Sequence, residues 1–414
     1  MNKVNCRDKQ TPRVHFLSDC DRPYSRTKGL HLSFLYPKRI FPVIGAIGVM
    51  VCSVLLYGCS NPAGGGKIEP ITFDHADEWA IQGGFAALAD QRIFALMAFL
   101  NVVGYDQEHP DFQMHPVRVK VRELVRKNIE SYPEKFKAWQ DYYQKHRGAQ
   151  LFGLKSFVLA LSPDYPFRKV VPDNQLGYPW TGQFLKDLPD ILNDFWVSAN
   201  LDDVWNQVKP DYIQEIRKYD LAKMEREMAF LWSYLRMQRR DSAIIVNVPD
   251  LLDHHLGAMG AGYGEYYFSV ENQGNGGYGL NVHEYLHSVI NPIVEKHYGR
   301  YKAKLDAYYI AGKDFPGSRD YQNPVTFAYE CMVGALDRRI RVLLENDPKW
   351  TNLCEGQVAF DTQEGLLLTQ PFYRLLADYE ASGQSFDQYL PTLLKQLPEY
   401  DPNKSPRTMT GEKK

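Results

Sequence analysis

His283, Glu284 and His287 form an H-E-x-x-H motif within the segment HEYLH. On an α-helix, residues four positions apart lie on one face, so both imidazoles can reach a single metal ion. Glu284 is then close enough to contact a water at the metal without being a ligand itself. Two neutral nitrogen ligands, an open coordination position and a carboxylate base are the parts of a metallohydrolase. The motif predicts a zinc-dependent hydrolase, most simply a peptidase, in which Glu284 takes a proton from water and passes it to the leaving amine.

A catalytic zinc site usually takes three ligands from the protein, so a third ligand is expected downstream of the motif. Glu330 lies in the segment 326–338, which has a helical pattern and small apolar neighbours. A carboxylate buried there is costly unless a cation neutralises it. We therefore predict that His283, His287 and Glu330 hold Zn²⁺. The competing ligands in the sequence are Glu295, His297, Asp306, Asp314 and Asp320.

Two features disfavour these competitors. Pro292 is expected to end the motif helix, which places Glu295 and His297 beyond its last turn. The three aspartates lie in or near a glycine- and proline-rich stretch that reads as a loop, and a loop carboxylate fixes metal geometry poorly. A residue that stabilises the oxyanion is also expected near the metal. The sequence leaves that choice open among His297, Tyr298, Tyr308, Tyr309, Tyr321 and Tyr329.

The stretch HEYLHSVINP, followed downstream by Glu330, Val333 and Ala335 in an E-x-x-V-x-A pattern, resembles a bacterial family. That family is described as a domain of unknown function and is regarded as gluzincin-type zinc metallopeptidases. The segment 92–105 (RIFALMAFLNVVGY) is similar to its N-terminal signature, so the resemblance touches both ends of residues 85–345. The resemblance implies a zincin-like fold and a zinc ligand at Glu330, but no substrate. The family pattern has Arg where this chain has Gly334.

The elements that must position these residues are mostly helical. The patterns predict helices over 86–103, 117–130, 133–147, 184–197 and 208–239, a loop over 161–180, and helices from 280 to about 397. Residues 243–248 and 263–271 are expected to be strands, and the second has glycines around it where an extended substrate could add to a sheet edge. We predict an α+β, predominantly helical fold with a small sheet. Its expected division is a helical part over 68–241, a zincin-like catalytic part over 242–400 and a polar tail over 401–414.

The N-terminus has the order of an export signal. An uncharged apolar run, 41–57, follows Lys38 and Arg39 and precedes Gly58 and Cys59. The ending Leu56–Cys59 resembles a bacterial lipobox, so we predict a signal region over 1–58, lipidation of Cys59 and a glycine linker over 59–67. The run also lies at the short end of what spans a bilayer, about 17–25 residues, so an uncleaved anchor or an ordinary signal stays open. A buried helix is a further alternative, although no amphipathic pattern supports it. All of these interpretations except the buried helix place the following residues outside the cytoplasm, in the bacterial cell envelope.

Composition limits the partners. The chain is 44% hydrophobic and 13% aromatic with a net charge of -2. These values favour a folded protein and give no basic excess for binding nucleic acid. The expected partners are a peptide or protein substrate and a membrane reached through the lipid anchor. Cys331 and Cys354 can either pair in an oxidising compartment or remain separate buried thiols.

Two alternatives to a protein-cleaving peptidase remain. A catalytically inactive relative would use zinc to hold two helices together and act as a surface binding module, and a fourth protein ligand would mark that case. A hydrolase of cell-wall peptides would have the same metal site. An intramembrane protease is disfavoured, because polar residues such as Asn281, Asn291 and Glu295 flank the motif.

Overall fold

Five short strands form one mixed β-sheet that separates two groups of helices. The computed structural model describes residues 79–82, 84–105, 114–239, 243–253, 258–272, 280–319, 321 and 323–401. The predicted signal region, Cys59, the linker, Asp320 and nearly all of the polar tail lie outside these residues. The predicted α+β class with a predominantly helical chain and a small sheet is confirmed.

The strand order is β1-β2-β3-β5-β4. The strands are β1 (Trp79–Gln82), β2 (Phe85–Leu88), β3 (Ile244–Asp250), β4 (Ala258–Tyr263) and β5 (Tyr266–Asn272). β2, β3 and β5 run parallel to one another, whereas β1 is antiparallel to β2, β4 is antiparallel to β5, and these two strands occupy the edges. β4 is therefore an edge strand, and its hairpin partner β5 is the last strand before the segment that carries the motif.

In the described part of the chain, six helices pack with one face of the sheet into a first core. They are α1 (Gln91–Val103), α2 (Pro116–Ile129), α3 (Pro133–His146), α4 (Gln150–Leu159), α6 (Leu188–Ser198) and α7 (Leu201–Ile216), and the short α5 (Pro179–Phe184) packs against α4. The sheet contributes Val246, Val248, Phe268 and Val270 to this core. These residues alternate along their strands, because successive side chains of a strand point to opposite faces.

The other face of the sheet belongs to a second core, which includes Ile245 and Tyr267. Its helices are α8 (Leu221–Leu235), α9 (Leu280–Gly312), α10 (Pro324–Glu345), α11 (Pro348–Gln363), α12 (Thr369–Ser382) and α13 (Phe386–Gln396). The motif lies in the first turns of α9. No helix among the described residues is long and apolar enough to cross a membrane.

Three predicted elements are divided in the structure. The helix predicted over 86–103 begins only at Gln91, because the Asp90 carboxylate accepts hydrogen bonds from the backbone N–H groups of Arg92 and Ile93, and the residues before it form β2. The helix predicted over 208–239 is two helices, since Asp220 caps α8 in the same way. The strand predicted over 263–271 is a hairpin whose turn uses Gly264 at φ +59°.

The prediction that Pro292 ends the motif helix is wrong. α9 continues through Pro292 to Gly312. Proline removes one backbone donor, the one that would bond the carbonyl of Ser288. Ile290 and Val294, on either side of it, are buried in the second core, and this packing offsets the lost hydrogen bond. The long helix keeps the metal motif and the second core on one rigid element.

Candidate metal centre

The first turns of α9 are held against the sheet by Tyr267. Its hydroxyl donates to the backbone carbonyl of Glu284 at 2.7 Å, so β5 fixes the helix at the motif itself. Gly260 of the edge strand β4 makes this contact possible. A Cβ atom at position 260 would lie 2.0 Å from the Tyr267 hydroxyl oxygen. Only glycine leaves room there for the ring that joins the sheet to α9.

Glu330 comes to the motif on α10, which packs along α9. Asn323 begins α10 by accepting from the backbone N–H groups of Val325 and Thr326. Glu330 is 7% exposed, and it is flanked in the helix by the buried Tyr329 and Cys331. Its position therefore follows from helix packing rather than from a loop.

The three side chains predicted as ligands lie together. His283 Nε2 is 3.3 Å from Glu330 Oε1, and His287 Nε2 is 3.4 Å from Glu330 Oε2. The two Nε2 atoms are 3.2 Å apart. Among the described residues, this is the group of imidazole, thiol and carboxyl side chains that could hold a metal ion. It offers three possible ligands, and the described part of the chain adds no fourth.

These distances fit a metal. Ligand atoms about 2.0–2.2 Å from a tetrahedral centre are about 3.3–3.6 Å from one another, which the three separations match closely. His287 is 1% exposed, and its Nδ1 is 3.1 Å from Asn291 Oδ1, one turn further along α9. If Nδ1–H donates to that oxygen, Nε2 carries a lone pair toward the other two ligands. Lone pairs and a carboxylate converging on one point repel each other unless a cation lies between them.

Each of these side chains alters the pKa of its neighbours. Burial alone would raise the pKa of Glu330, but His283 and His287 hold it well below its usual range. Burial alone would lower the pKa of His283, but the Glu330 carboxylate outweighs it and raises that pKa. The carboxylate of Glu330 is therefore ionised at neutral pH, as a metal ligand must be.

Glu284 is buried beside this group and is not part of it. The residue is 3% exposed, and its Oε2 atom has no hydrogen-bond partner. Burial raises its pKa to about 8, and the nearby Glu330 and Glu271 add to this while His287 opposes it. A buried carboxyl oxygen without a hydrogen-bond partner, held next to a group that could hold a metal ion, is suited to exchange a proton with a reacting molecule.

The structure also distinguishes among the tyrosines considered as the residue that stabilises the oxyanion. The hydroxyl of Tyr298 donates to Asp306, that of Tyr308 to the Pro398 carbonyl, and Tyr309 packs on Phe327. Tyr321 differs, because burial and then the carboxylates of Glu330 and Glu284 raise its pKa well above the usual value. Of the tyrosines considered, its hydroxyl is the one in the electrostatic field of both site carboxylates.

The competing ligands lie elsewhere. Asp306 is engaged by Tyr298 and Lys302, and Glu295 and His297 are on α9 two or more turns beyond the motif. His254 and His255, which precede β4, lie outside the described residues. Cys331 and Cys354 are both buried free thiols, so the described structure contains no bond between them.

Gly334, which stands where the resembled family has Arg, lies against the side chain of another arginine of α10. A Cβ atom at Gly334 would lie 2.8 Å from Arg338 Nη1, which donates to the Gly334 carbonyl. The Arg338 guanidinium also pairs with Asp361 at 2.8 Å. A guanidinium group therefore lies beside position 334, although it comes from the next turn of α10.

Sequence reasoning missed three residues of this centre: Asn291, Tyr267 and Glu271. Asn291 had a readable signal, because it is four residues after His287 and so shares its helix face. Tyr267 and Glu271 act across elements, from β5 to α9, and no spacing in the sequence reveals that. Comparison with known proteins adds nothing further: no protein-family model, curated protein or solved structure matches this chain.

Proposed function

We propose that this protein is a zinc-dependent hydrolase that cleaves peptide bonds, with a zincin-like catalytic half. The observation that carries the proposal is the convergence of His283, His287 and Glu330 at separations of 3.2–3.4 Å next to a buried Glu284. Two histidines and a glutamate are a ligand set of catalytic zinc in peptidases. Bound there, Zn²⁺ would supply Lewis acidity, activating water and polarising the scissile carbonyl.

The side chains of this chain would do the rest. Glu284 accepts a proton from the attacking water at its unpartnered Oε2 and delivers it to the leaving amine. Asn291 holds the imidazole of His287 in the orientation that directs Nε2 to the ligand group. The Tyr321 hydroxyl donates to the oxygen of the carbonyl as negative charge develops on it.

The edge strand β4 favours a peptide as the substrate. Its hydrogen bonds run to β5 on one side, and it is the last strand of the sheet among the described residues. An extended peptide can add to such an edge through main-chain hydrogen bonds. α9 packs against β4, so a peptide bound along that edge would pass near the motif.

A purely structural zinc site is less well supported. Structural zinc is almost always held by four protein ligands, whereas the described group has three. Cleavage of cell-wall peptides rather than proteins would use the same groups, so the site does not separate those substrates.

We also propose that the protein is exported and lipid-anchored at Cys59, on the sequence order described above. Mass spectrometry of protein taken from its native membrane is expected to find an acylated mature N-terminus at Cys59. An intact peptide spanning 56–67 would contradict this.

The test of hydrolysis is Glu284→Gln, with Glu265→Gln as the control. The amide is nearly isosteric but cannot accept the proton, so turnover of a peptide library should fall by about 10²–10⁴-fold. Zinc content should stay unchanged. Glu265 is exposed in the turn of the β4–β5 hairpin, so its variant should cleave normally. Unchanged turnover in Glu284→Gln would exclude it as the base, and zinc binding without any hydrolysis would favour the structural role.

A further inference from the structure

The face of the sheet that meets α9 carries buried polar side chains that the metal group does not use. Tyr267, Ser269 and Glu271 alternate along β5 and so share one face. The bond from Tyr267 to the Glu284 carbonyl identifies that face as the one toward α9. Asn247 of β3 lies opposite Ser269 in the parallel register. Glu271, Ser269 and Asn247 are each 0% exposed.

Three oxygens in this region have no hydrogen-bond partner. They are Glu271 Oε2, Asn247 Oδ1 and the hydroxyl oxygen of Tyr219. The other carboxylate oxygen of Glu271 has only a long contact of 3.5 Å with Ser269 Oγ. Asn247 uses its amide nitrogen to bond the Ala86 carbonyl, which leaves its oxygen as an acceptor. Buried acceptors without donors are costly, so this concentration calls for a donor.

These oxygens form one region that adjoins the proposed catalytic base. Burial and then the charge of Glu271 raise the pKa of Tyr219, so Glu271 lies within electrostatic reach of that hydroxyl. The Tyr267 bond, made from the same face of β5, places this face against the turn of α9 that carries Glu284. No cation among the described residues offsets Glu271 itself, whose pKa burial raises to about 8. The region therefore holds a carboxyl group without a counter-charge, has more acceptor than donor atoms and begins beside the reacting centre.

We propose that Glu271, Asn247 and Tyr219 form a subsite for the primary ammonium group of a lysine side chain next to the scissile bond. The inference rests on the proposed function and names its substrate class. An ammonium group has three N–H donors and no acceptor, which matches three acceptor oxygens. A carboxylate or an apolar side chain would leave every one of those oxygens without a donor. Charge-assisted hydrogen bonds of this kind are about twice as strong as neutral ones.

The test compares peptides that differ at one position. Zinc-loaded protein is given peptides with lysine, norleucine or glutamate at each position flanking the cleaved bond. The kcat/KM for lysine should exceed that for norleucine by at least about tenfold at one position. Glu271→Gln should reduce that ratio to near one, and the exposed control Glu265→Gln should keep it.

Equal rates with lysine and norleucine at both positions in the wild-type protein would overturn the subsite, and this result needs no variant to fold. Equilibrium binding of the same peptides, measured by calorimetry, separates the two proposals. Tighter binding of lysine peptides that is lost in Glu271→Gln, without hydrolysis, would keep the subsite and reject the hydrolase. Hydrolysis without a lysine preference would keep the hydrolase and reject the subsite.

Discussion

Two buried clusters of charged side chains lie on opposite faces of the same sheet, and they are built differently. On the first-core side, Lys155 pairs with Asp250 at 2.8 Å and with Asp253 at 2.7 Å. The other oxygen of Asp250 accepts from the backbone N–H groups of Leu252 and Asp253. The two carboxylates share the Lys155 ammonium, which is within 3 Å of each, and both lie where the chain leaves β3.

On the second-core side, Glu284 and Glu271 have no ion-pair partner among the described residues, and an oxygen of each has no hydrogen bond. His283 and His287 direct nitrogens at one another and at Glu330. The first cluster provides its own counter-charge, as a structural network must. The second has an excess of acceptors, which is the pattern expected where a metal and a substrate supply the missing partners. Apart from the controls, each substitution below changes a residue in or next to one cluster and leaves the other cluster intact.

The largest effect on stability is expected for Lys155→Met. It leaves Asp250 and Asp253 buried without their counter-ion, which should lower the free energy of unfolding by about 3–5 kcal/mol. Denaturant titration measures this. Lys137 forms an exposed pair with Asp141, so Lys137→Met should cost at most about 1 kcal/mol. Equal stability of Lys155→Met and wild type would show that the first cluster is not structural.

Glu271→Gln should instead raise the free energy of unfolding. Burial raises the pKa of Glu271 from its ordinary value of 4.5 to about 8, so between these pH values the folded state binds more protons than the unfolded state. Its contribution to stability is present below pH 4.5 and is lost as the pH rises to about 8. In metal-free protein, Glu271→Gln should therefore gain up to about 4 kcal/mol relative to wild type at pH 9 and little at pH 4. Identical pH dependences of unfolding for the two proteins would contradict this.

Asn291→Leu should weaken zinc binding by about 10–100-fold, because the His287 ring loses the acceptor that orients it. Asn291→Asp keeps an acceptor at the same place and should restore the affinity. Competition with a chelator measures the dissociation constant. Ser288, whose hydroxyl bonds the Tyr285 carbonyl, provides the control Ser288→Ala on the same helix. Equal losses in Asn291→Leu and Asn291→Asp would mean that the side chain acts through packing rather than through His287.

Much of the site could be predicted because it depends on local rules. Helical periodicity brings His283 and His287 to one face, and the cost of burying a carboxylate singled out Glu330. The prediction that Pro292 ends the motif helix was wrong because packing of α9 in the second core outweighs one lost hydrogen bond. The helix predicted from residue 86 begins only at Gln91, because Asp90 caps it there and the preceding residues pair into the sheet. Asn247, Tyr219 and Glu271 could not be predicted, since strand register and tertiary packing alone bring them together.

Metal analysis of the purified protein tests the central claim most directly. We expect about one zinc per chain in the wild type. The control Glu295→Ala should bind the same amount, because it removes an exposed carboxylate of α9 that the sequence offered as an alternative third ligand. His283→Ala, His287→Ala and Glu330→Ala should each lose the metal while retaining helical circular dichroism. A wild-type protein that binds no zinc after loading, or retention of zinc by all three variants, would contradict the account.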